Sequence, residues 1–355
     1  MLTMKCGWAP GGSPSTGERM AEMLNILLTC IGRRVALLEA FRRAMGNLGI
    51  KGRLYGADHS VLAPGFHVAD EGLLVPSVTG PDYVEALLEQ CQKHDIGLVV
   101  PLIDWELEAL SRARARFAQV GARLVISSPD VVDICRDKQK TFEFLKAHGF
   151  DTPEVIPPEK AMDGPFPLFM KPRFGSSARD VHYVPDREAL AFYSRGGGAS
   201  ACVVQEFVRG KEHTVDVYAG LDGVPRVAVP RQRLEVRGGE VAKARTVRHA
   251  EIIQQSMRLV EALGECCGVI TLQCFLTPSG DIKFIEINPR FGGGVPLAIR
   301  AGADFPLWLI EEHLGRRPDI QPGDWQDGLL MLRYDAGVFR RIDELPDEND
   351  TGLWA

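Results

Sequence analysis

From Asn25 to Ser127 the chain repeats one unit: a short apolar run, a turn, then a stretch with apolar residues at helical spacing. Such a repeat constrains the fold strongly, because parallel strands need a long crossover whereas a tight turn joins only antiparallel ones. The first run ends at Cys30, Gly32 marks the turn, and Val35, Leu37, Leu38, Phe41 and Met45 follow at helical spacing. Further strands are expected over 51–58, 96–103 and 123–127, with helices over 83–93 and 105–120. This predicts a doubly wound, parallel α/β lobe over 24–128. Gly32 stands alone in the first turn, so the glycine fingerprint of dinucleotide binding is absent and a nicotinamide-dependent oxidoreductase is disfavoured.

After Pro129 the pattern changes. A helix over 138–148, closed by Gly149, leads through a proline-rich stretch into strands over 168–172, 181–184, 202–207, 213–218 and 226–230. A helix over 252–263 and two strands, 269–276 and 282–288, complete an α+β region. The 355 residues exceed what one hydrophobic core usually serves. The expected division is a disordered tail over 1–23, the α/β domain over 24–128, a larger domain over 129–315 with a smaller subdomain over about 150–208, and a C-terminal segment over 316–355. The tail has no apolar core of a signal peptide, and Met20 or Met23 offers an alternative start.

A net charge of -6 gives no basic footprint for nucleic acid or an anionic membrane surface. No apolar run approaches the ~18 residues of a membrane-spanning helix. Eight cysteines without a CxxC pair read as reduced, mostly buried thiols of a cytoplasmic protein.

The segment most telling about chemistry is Gln273 followed by Glu286-Ile287-Asn288-Pro289-Arg290. Side chains alternate along a strand, so Glu286 and Asn288 share one face and Ile287 packs on the other. The turn formers Thr277 to Asp281 should close a hairpin. A tip at Ser279-Gly280 sets Gln273 opposite Glu286; a tip at Pro278-Ser279 sets it diagonal, on the same face. One carboxylate and two amide oxygens suit Mg²⁺, which keeps its other positions for phosphate oxygens and water. The competing reading is a solvated sheet face.

Two lysines add positive charge. Lys171 ends the apolar run Leu168-Phe169-Met170 and precedes a loop, Phe174-Gly175-Ser176-Ser177-Ala178-Arg179, whose small residues let backbone N–H groups approach phosphate. Lys138 opens a helix behind Asp137. A lysine on an apolar strand is unfavourable unless it meets an anion, although a snorkelling stem is the alternative. Finally, Gln205-Glu206-Phe207-Val208 runs from a strand into a loop with Glu212 just beyond, a geometry that suits an adenine edge and a ribose.

In this order these residues resemble the ATP-grasp superfamily, most closely single-module relatives of the carbamoyl phosphate synthetase large subunit. The resemblance implies a preATP-grasp domain followed by an ATP-grasp fold, with ATP and Mg²⁺, or Mn²⁺ in its place, as cofactors. It implies that Lys138 and Lys171 bind ATP phosphates under the loop of Gly175, Ser176, Ser177 and Ala178. Glu206 and Val208 would contact adenine through their backbone, with Gln205 nearby and Phe207 among the ATP-binding residues, and Glu212 would hold ribose. Gln273, Glu286 and Asn288 would handle the metal, and Lys171 and Arg290 would act on the transferring phosphoryl group. The implied activity is carboxylate–amine ligation through an acyl phosphate. Bicarbonate phosphorylation and a non-catalytic ATP sensor are the alternatives.

Substrate residues are less defined. Arg245 and Arg248 are candidates for carboxylate recognition alongside Arg290, with a solvated basic loop as the alternative. Gly292, Gly293 and Gly294 offer backbone N–H groups or a flexible turn, and Asp104 ends a strand where open α/β sheets bind ligands. Asp216 reads as structural and His213 as a core histidine. Small-molecule carboxylates and amines are the expected partners, and a homodimer is compatible with the sequence.

Overall fold

The computed structural model describes residues 22–175, 180–194 and 201–345. Five parallel strands, β1 (Asn25–Leu28), β2 (Leu54–Asp58), β3 (Glu71–Leu74), β4 (Ile96–Val100) and β5 (Arg123–Leu124), lie in the order β3-β2-β1-β4-β5. Helices α1 (Val35–Leu48), α2 (Pro64–Val68), α3 (Tyr83–Lys93) and α4 (Asp104–Gln119) supply crossovers. The strand order reverses between β1 and β4, so the loops after these two strands diverge and leave a crevice, the place where open α/β sheets accept ligands. Edge strand β3 and helix α2 escape the periodicity reading because β3 buries only Leu73 and so carries no alternating pattern. Glu22 and Met23, expected in the disordered tail, instead bond to Lys51 through backbone and extend the sheet; residues 1–21 lie outside the described residues.

A second sheet is antiparallel. Strands β9 (Lys211–Gly220), β10 (Val227–Arg237), β11 (Glu240–Thr246), β12 (Gly268–Leu276), β13 (Ile282–Asn288) and β14 (Leu330–Leu332) run in the order β13-β12-β9-β10-β11-β14. Alternation gives β9 two characters. Val215 and Val217 face a core shared with α5 (Pro129–Arg136), α6 (Lys138–Ala147) and α9 (Ala250–Leu263). Tyr218 faces the opposite side, where α10 (Val295–Arg300) and α11 (Phe305–His313) pack with α1 against both large sheets. That common core holds the parallel sheet against the antiparallel one. Burial of apolar surface, at roughly 25 cal/mol per Å², is what fixes their relative position.

The third sheet is small. Strands β6 (Leu168–Pro172), β7 (His182–Val184) and β8 (Cys202–Glu206) pair as β7-β6-β8 and carry α7 (Pro158–Ala161) and α8 (Arg187–Tyr193) over a separate core built on Leu168, Met170, Val184, Leu190 and Val204. The seven described cysteines form no disulfide, and Cys91, Cys135, Cys266 and Cys274 are buried. No helix among the described residues is long and apolar enough to cross a membrane.

Candidate active site

The crevice after β1 and β4 opens onto the face of the antiparallel sheet that carries Thr214, Arg231, Thr271 and Gln273, forming a cleft of about 560 Å³. Lys138, Lys171 and Gly175 line one end; Arg34, Glu240 and Gly292 to Gly294 line the other. A neighbouring recess is lined by Glu286 and Asn288 and shares Asp104, Lys138 and Gly175 with the cleft.

The hairpin sets the geometry. Thr277 and Asp281 close a loop over Pro278, Ser279 and Gly280, and Leu276 pairs with Ile282. Farther down, Cys274 pairs with Phe284 but Gln273 pairs with Glu286, so Ile285 is an extra residue, a β-bulge. Without it, strict alternation from buried Phe284 would turn Glu286 into the core. With it, Ile287 packs beside Leu272 in the core while Glu286 and Gln273 share the other face. The bulge also leaves the Ile285 carbonyl free of the ladder, where it accepts from Lys171 Nζ at 3.2 Å.

Lys171 is only 9% exposed. Burial lowers its ammonium from the usual 10.5 to about 8, the Lys138 charge acting in the same sense and Glu286 opposing both. Lys138 is held at the start of α6 because Asp137 caps that helix, accepting from Gln139 N–H at 3.0 Å, while the same carboxylate grips Arg173 through two bonds of 2.8 and 2.7 Å. One aspartate thereby ties the helix to the loop after β6. Lys138 Nζ then donates to Gly175 O at 2.8 Å, and Gly175, at φ +116°, takes a backbone conformation that other residues rarely adopt. Burial lowers the Lys138 ammonium as well, against Glu286, Asp104 and Asp137. Ser176, Ser177 and Ala178 lie outside the described residues.

Arg290 joins the two large sheets. It donates to Asp104 at 2.7 Å and to Asn288 Oδ1 at 3.3 Å. Burial works against its charge, but Asp104, together with Glu286 and Glu240, more than offsets this and raises it. Its Nε is buried without a partner among the described residues, leaving a donor for an incoming anion. Asn288 is 5% exposed, which rules out the solvated-face reading for this side chain. Among the described residues no cluster of three or more His, Cys, Asp or Glu could cage a metal. Glu286, Gln273 and Asn288 are a partial set of hard oxygens, which fits Mg²⁺ completed by phosphate and water.

The expected nucleotide residues lie along β8 and beyond. Gln205 is buried between Phe169 and Val155. The Glu206 carboxylate accepts from Lys283 at 2.8 Å and its N–H donates to Glu154 O, so that N–H is already engaged within the chain. Phe207 packs edge-on against Tyr183. Glu212 pairs with Arg233 at 2.8 Å; burial raises its carboxyl, with Arg233 opposing and Glu286 adding to the rise.

Two substrate candidates are placed elsewhere. Segment 243–249 is not a loop: most of it is β11, where Arg245 lies opposite Gln232 and shares its face, away from the face of Arg231 and Arg233. Arg248 stacks on Trp325 at 4.4 Å and donates to its carbonyl, docking the C-terminal segment. Arg34, Arg231, Arg233 and Glu240, which sequence reasoning passed over, line the cleft instead. The missed signal is alternation along 229–233, which puts Arg231 and Arg233 on one face.

Residues 26–125 match the PylC-like N-terminal domain family, and residues 135–294 match the ATP-grasp domain family. The chain carries an ATP-grasp domain. It is 21% identical over 352 residues to the carbamoyl phosphate synthase large chain of Campylobacter jejuni, covering 93% of this chain but only 30% of that relative. The biotin carboxylase domain of Hydrogenobacter thermophilus 2-oxoglutarate carboxylase, a dimer in complex with Mg-ADP and bicarbonate, superposes with a TM-score of 0.67 at 17% identity over 87% of this chain and 74% of that one. An L-amino acid ligase from Bacillus licheniformis gives 0.64 at 18% over 83% and 75%. At these identities the solved structures share the fold. In the ATP-grasp domain the antiparallel sheet supplies Gln273, Glu286 and Asn288, the small sheet supplies Lys171, and the preceding domain supplies Arg34 and Asp104.

Proposed function

We propose that the chain is an ATP-dependent carboxylate–amine ligase, in which a carboxylate is phosphorylated and the acyl phosphate is attacked by an amine, releasing ADP and phosphate. The observation that carries this is the meeting of Lys138, Lys171, Gln273 and Arg290 in one cleft, with Glu286 and Asn288 in the adjoining recess. A carboxylate approaching a γ-phosphate brings two anions together, so the site must supply positive charge on both sides of the reacting atoms. Lys138 and Lys171 hold the phosphates, Gln273, Glu286 and Asn288 hold Mg²⁺, and Arg290, fixed by Asp104, steadies the charge that moves to the carboxylate. Mg²⁺ held by Gln273, Glu286 and Asn288 would supply positive charge to offset that developing on the phosphoryl group. The small core of the three-stranded sheet suits it to act as a lid that keeps water from the acyl phosphate. Phosphorylation of bicarbonate is a second reading, favoured by the carbamoyl phosphate synthase relative, and predicts bicarbonate-dependent phosphate release. A homodimer is the assembly we propose, on the example of the dimeric biotin carboxylase domain, and the unpaired thiols of the described cysteines support a place in the reducing cytoplasm.

ATP with Mg²⁺ should raise the melting temperature, since a ligand selective for the native state stabilises it by mass action, and GTP should raise it less. Equal shifts with both nucleotides, or none with ATP, would refute the adenine assignment.

Lys171 adds a pH signature. Its free ammonium titrates near 8, below the usual 10.5, and contact with phosphate must raise that value. Above about pH 8 the free protein therefore lacks a proton that the complex holds, so nucleotide binding takes one up and weakens as pH rises. Calorimetric binding heats in two buffers of different ionisation enthalpy measure this at pH 8.5, and Lys171→Met should reduce the difference to what Lys138, lowered by burial as well, contributes. Buffer-independent heats in the parent protein would remove Lys171 from the phosphates.

A further inference from the structure

We infer that the end of the cleft formed by Arg34, Arg231 and Glu240 around Gly293 and Gly294 binds the carboxylate and ammonium groups of an α-amino acid, on the ligase reading above, which leaves both substrates open. The glycines locate it. A Cβ on Gly293 would fall 2.8 Å from Arg34 Nη1 and 3.4 Å from Glu240 Oε1, so a cation and an anion converge on one point of backbone. They form no ion pair with each other among the described residues. A Cβ on Gly294 would fall 2.3 Å from Arg231 Nη1, and that nitrogen is buried with no hydrogen-bond partner among the described residues.

The charges around this point do not cancel. Asp216 neutralises Arg231, Asp104 neutralises Arg290, and Glu240 Oε2 accepts from Arg333 at 3.0 Å. The Arg34 guanidinium makes no hydrogen bond or ion pair among the described residues; only the backbone of Arg34 is engaged. Burial and the neighbouring Arg290 charge lower its guanidinium to about 10, against Glu240 and Asp104. One anion placed between Arg34 and Arg231 relieves this repulsion and satisfies Nη1 of Arg231. Glu240 Oε1, not engaged by Arg333, is left as an acceptor for a cation beside that anion. A carboxylate and an ammonium on the same carbon match this pairing. Bicarbonate brings no cation, and the nucleotide phosphates belong to the lysine end of the cleft.

The experiment saturates the full chain with Mg²⁺ and a non-hydrolysable ATP analogue, then records melting temperature with each common L-amino acid, its carboxamide and its N-acetyl form, and with bicarbonate. At least one amino acid should raise the melting temperature while its carboxamide and N-acetyl forms do not. For phosphate release from ATP with that amino acid, Arg34→Met and Glu240→Gln should each raise its KM about tenfold or more, with a smaller change in kcat and an unchanged KM for ATP. Arg34→Lys should restore part of the loss. The inference is overturned if no amino acid stabilises the analogue complex, if the carboxamide binds equally well, or if both variants keep the parent KM. The analogue alone reads the nucleotide site: a shift with analogue but not with amino acids overturns this inference and leaves the ligase reading standing. No shift with analogue overturns both.

Discussion

Glu286→Gln should fold as the parent does, lose roughly 10²-fold or more of its ATP turnover at ordinary Mg²⁺, and recover part of it only at much higher metal. The substitution keeps size and hydrogen bonding but removes the one carboxylate in the group of Gln273, Glu286 and Asn288. An amide in its place is a weaker partner for a hard divalent cation. Folding should survive because Glu286 is half-buried, facing away from the core that Ile287 enters. Ile287→Asp makes the contrast, since a charge placed among Leu272 and Phe284 should unfold the domain whatever the function. The measurement is the Mg²⁺ dependence of phosphate release in purified Glu286→Gln at matched thermal stability. An unchanged metal requirement would remove the metal role of this hairpin and, with it, the main support for ligation.

Asp216→Ala should destabilise the protein by about 3 to 5 kcal/mol, which for a domain of this size lowers the melting temperature by roughly 10 °C. Asp216 is fully buried and holds Arg231 through bonds of 2.6 and 3.0 Å, and Thr271 Oγ1 lies 3.3 Å from the same carboxylate. Removing it strands a buried guanidinium, whose desolvation is then uncompensated. The paired variant Asp216→Leu with Arg231→Met should regain most of the stability, because neither charge remains to be desolvated. It should not regain activity if Arg231 binds substrate. Thermal unfolding of the single and paired variants tests both statements; a single variant as stable as the parent would show that Arg231 is solvated or otherwise neutralised.

Much of the fold is legible along the chain because its signals are local. Helix α3 and strand β6 have the bounds that periodicity predicts, and the hairpin of β12 and β13 follows from turn formers between two apolar runs. Lys138 and Lys171 stand out because charge interrupts an apolar or capped segment. Strand β11 does not stand out: Glu240 to Thr246 alternates small and charged residues, and its strand character comes from pairing with β10 and β14. Hence Arg245 and Arg248 read as a basic loop and Arg231 and Arg233 go unnoticed.

By itself the sequence determined which residues share a face, Glu286 with Asn288 and Ile287 against them, and that a parallel lobe precedes an α+β one. Alternation and helical period are properties of the backbone and need no partner. Which faces meet was decided only in the tertiary structure. The bulge at Ile285 settles the register of Gln273 against Glu286, and the core shared by α1, α10 and α11 brings Arg34 and Asp104 to a sheet more than a hundred residues away in the chain. Those placements depend on burying apolar surface between distant segments, a gain that no local stretch of residues records.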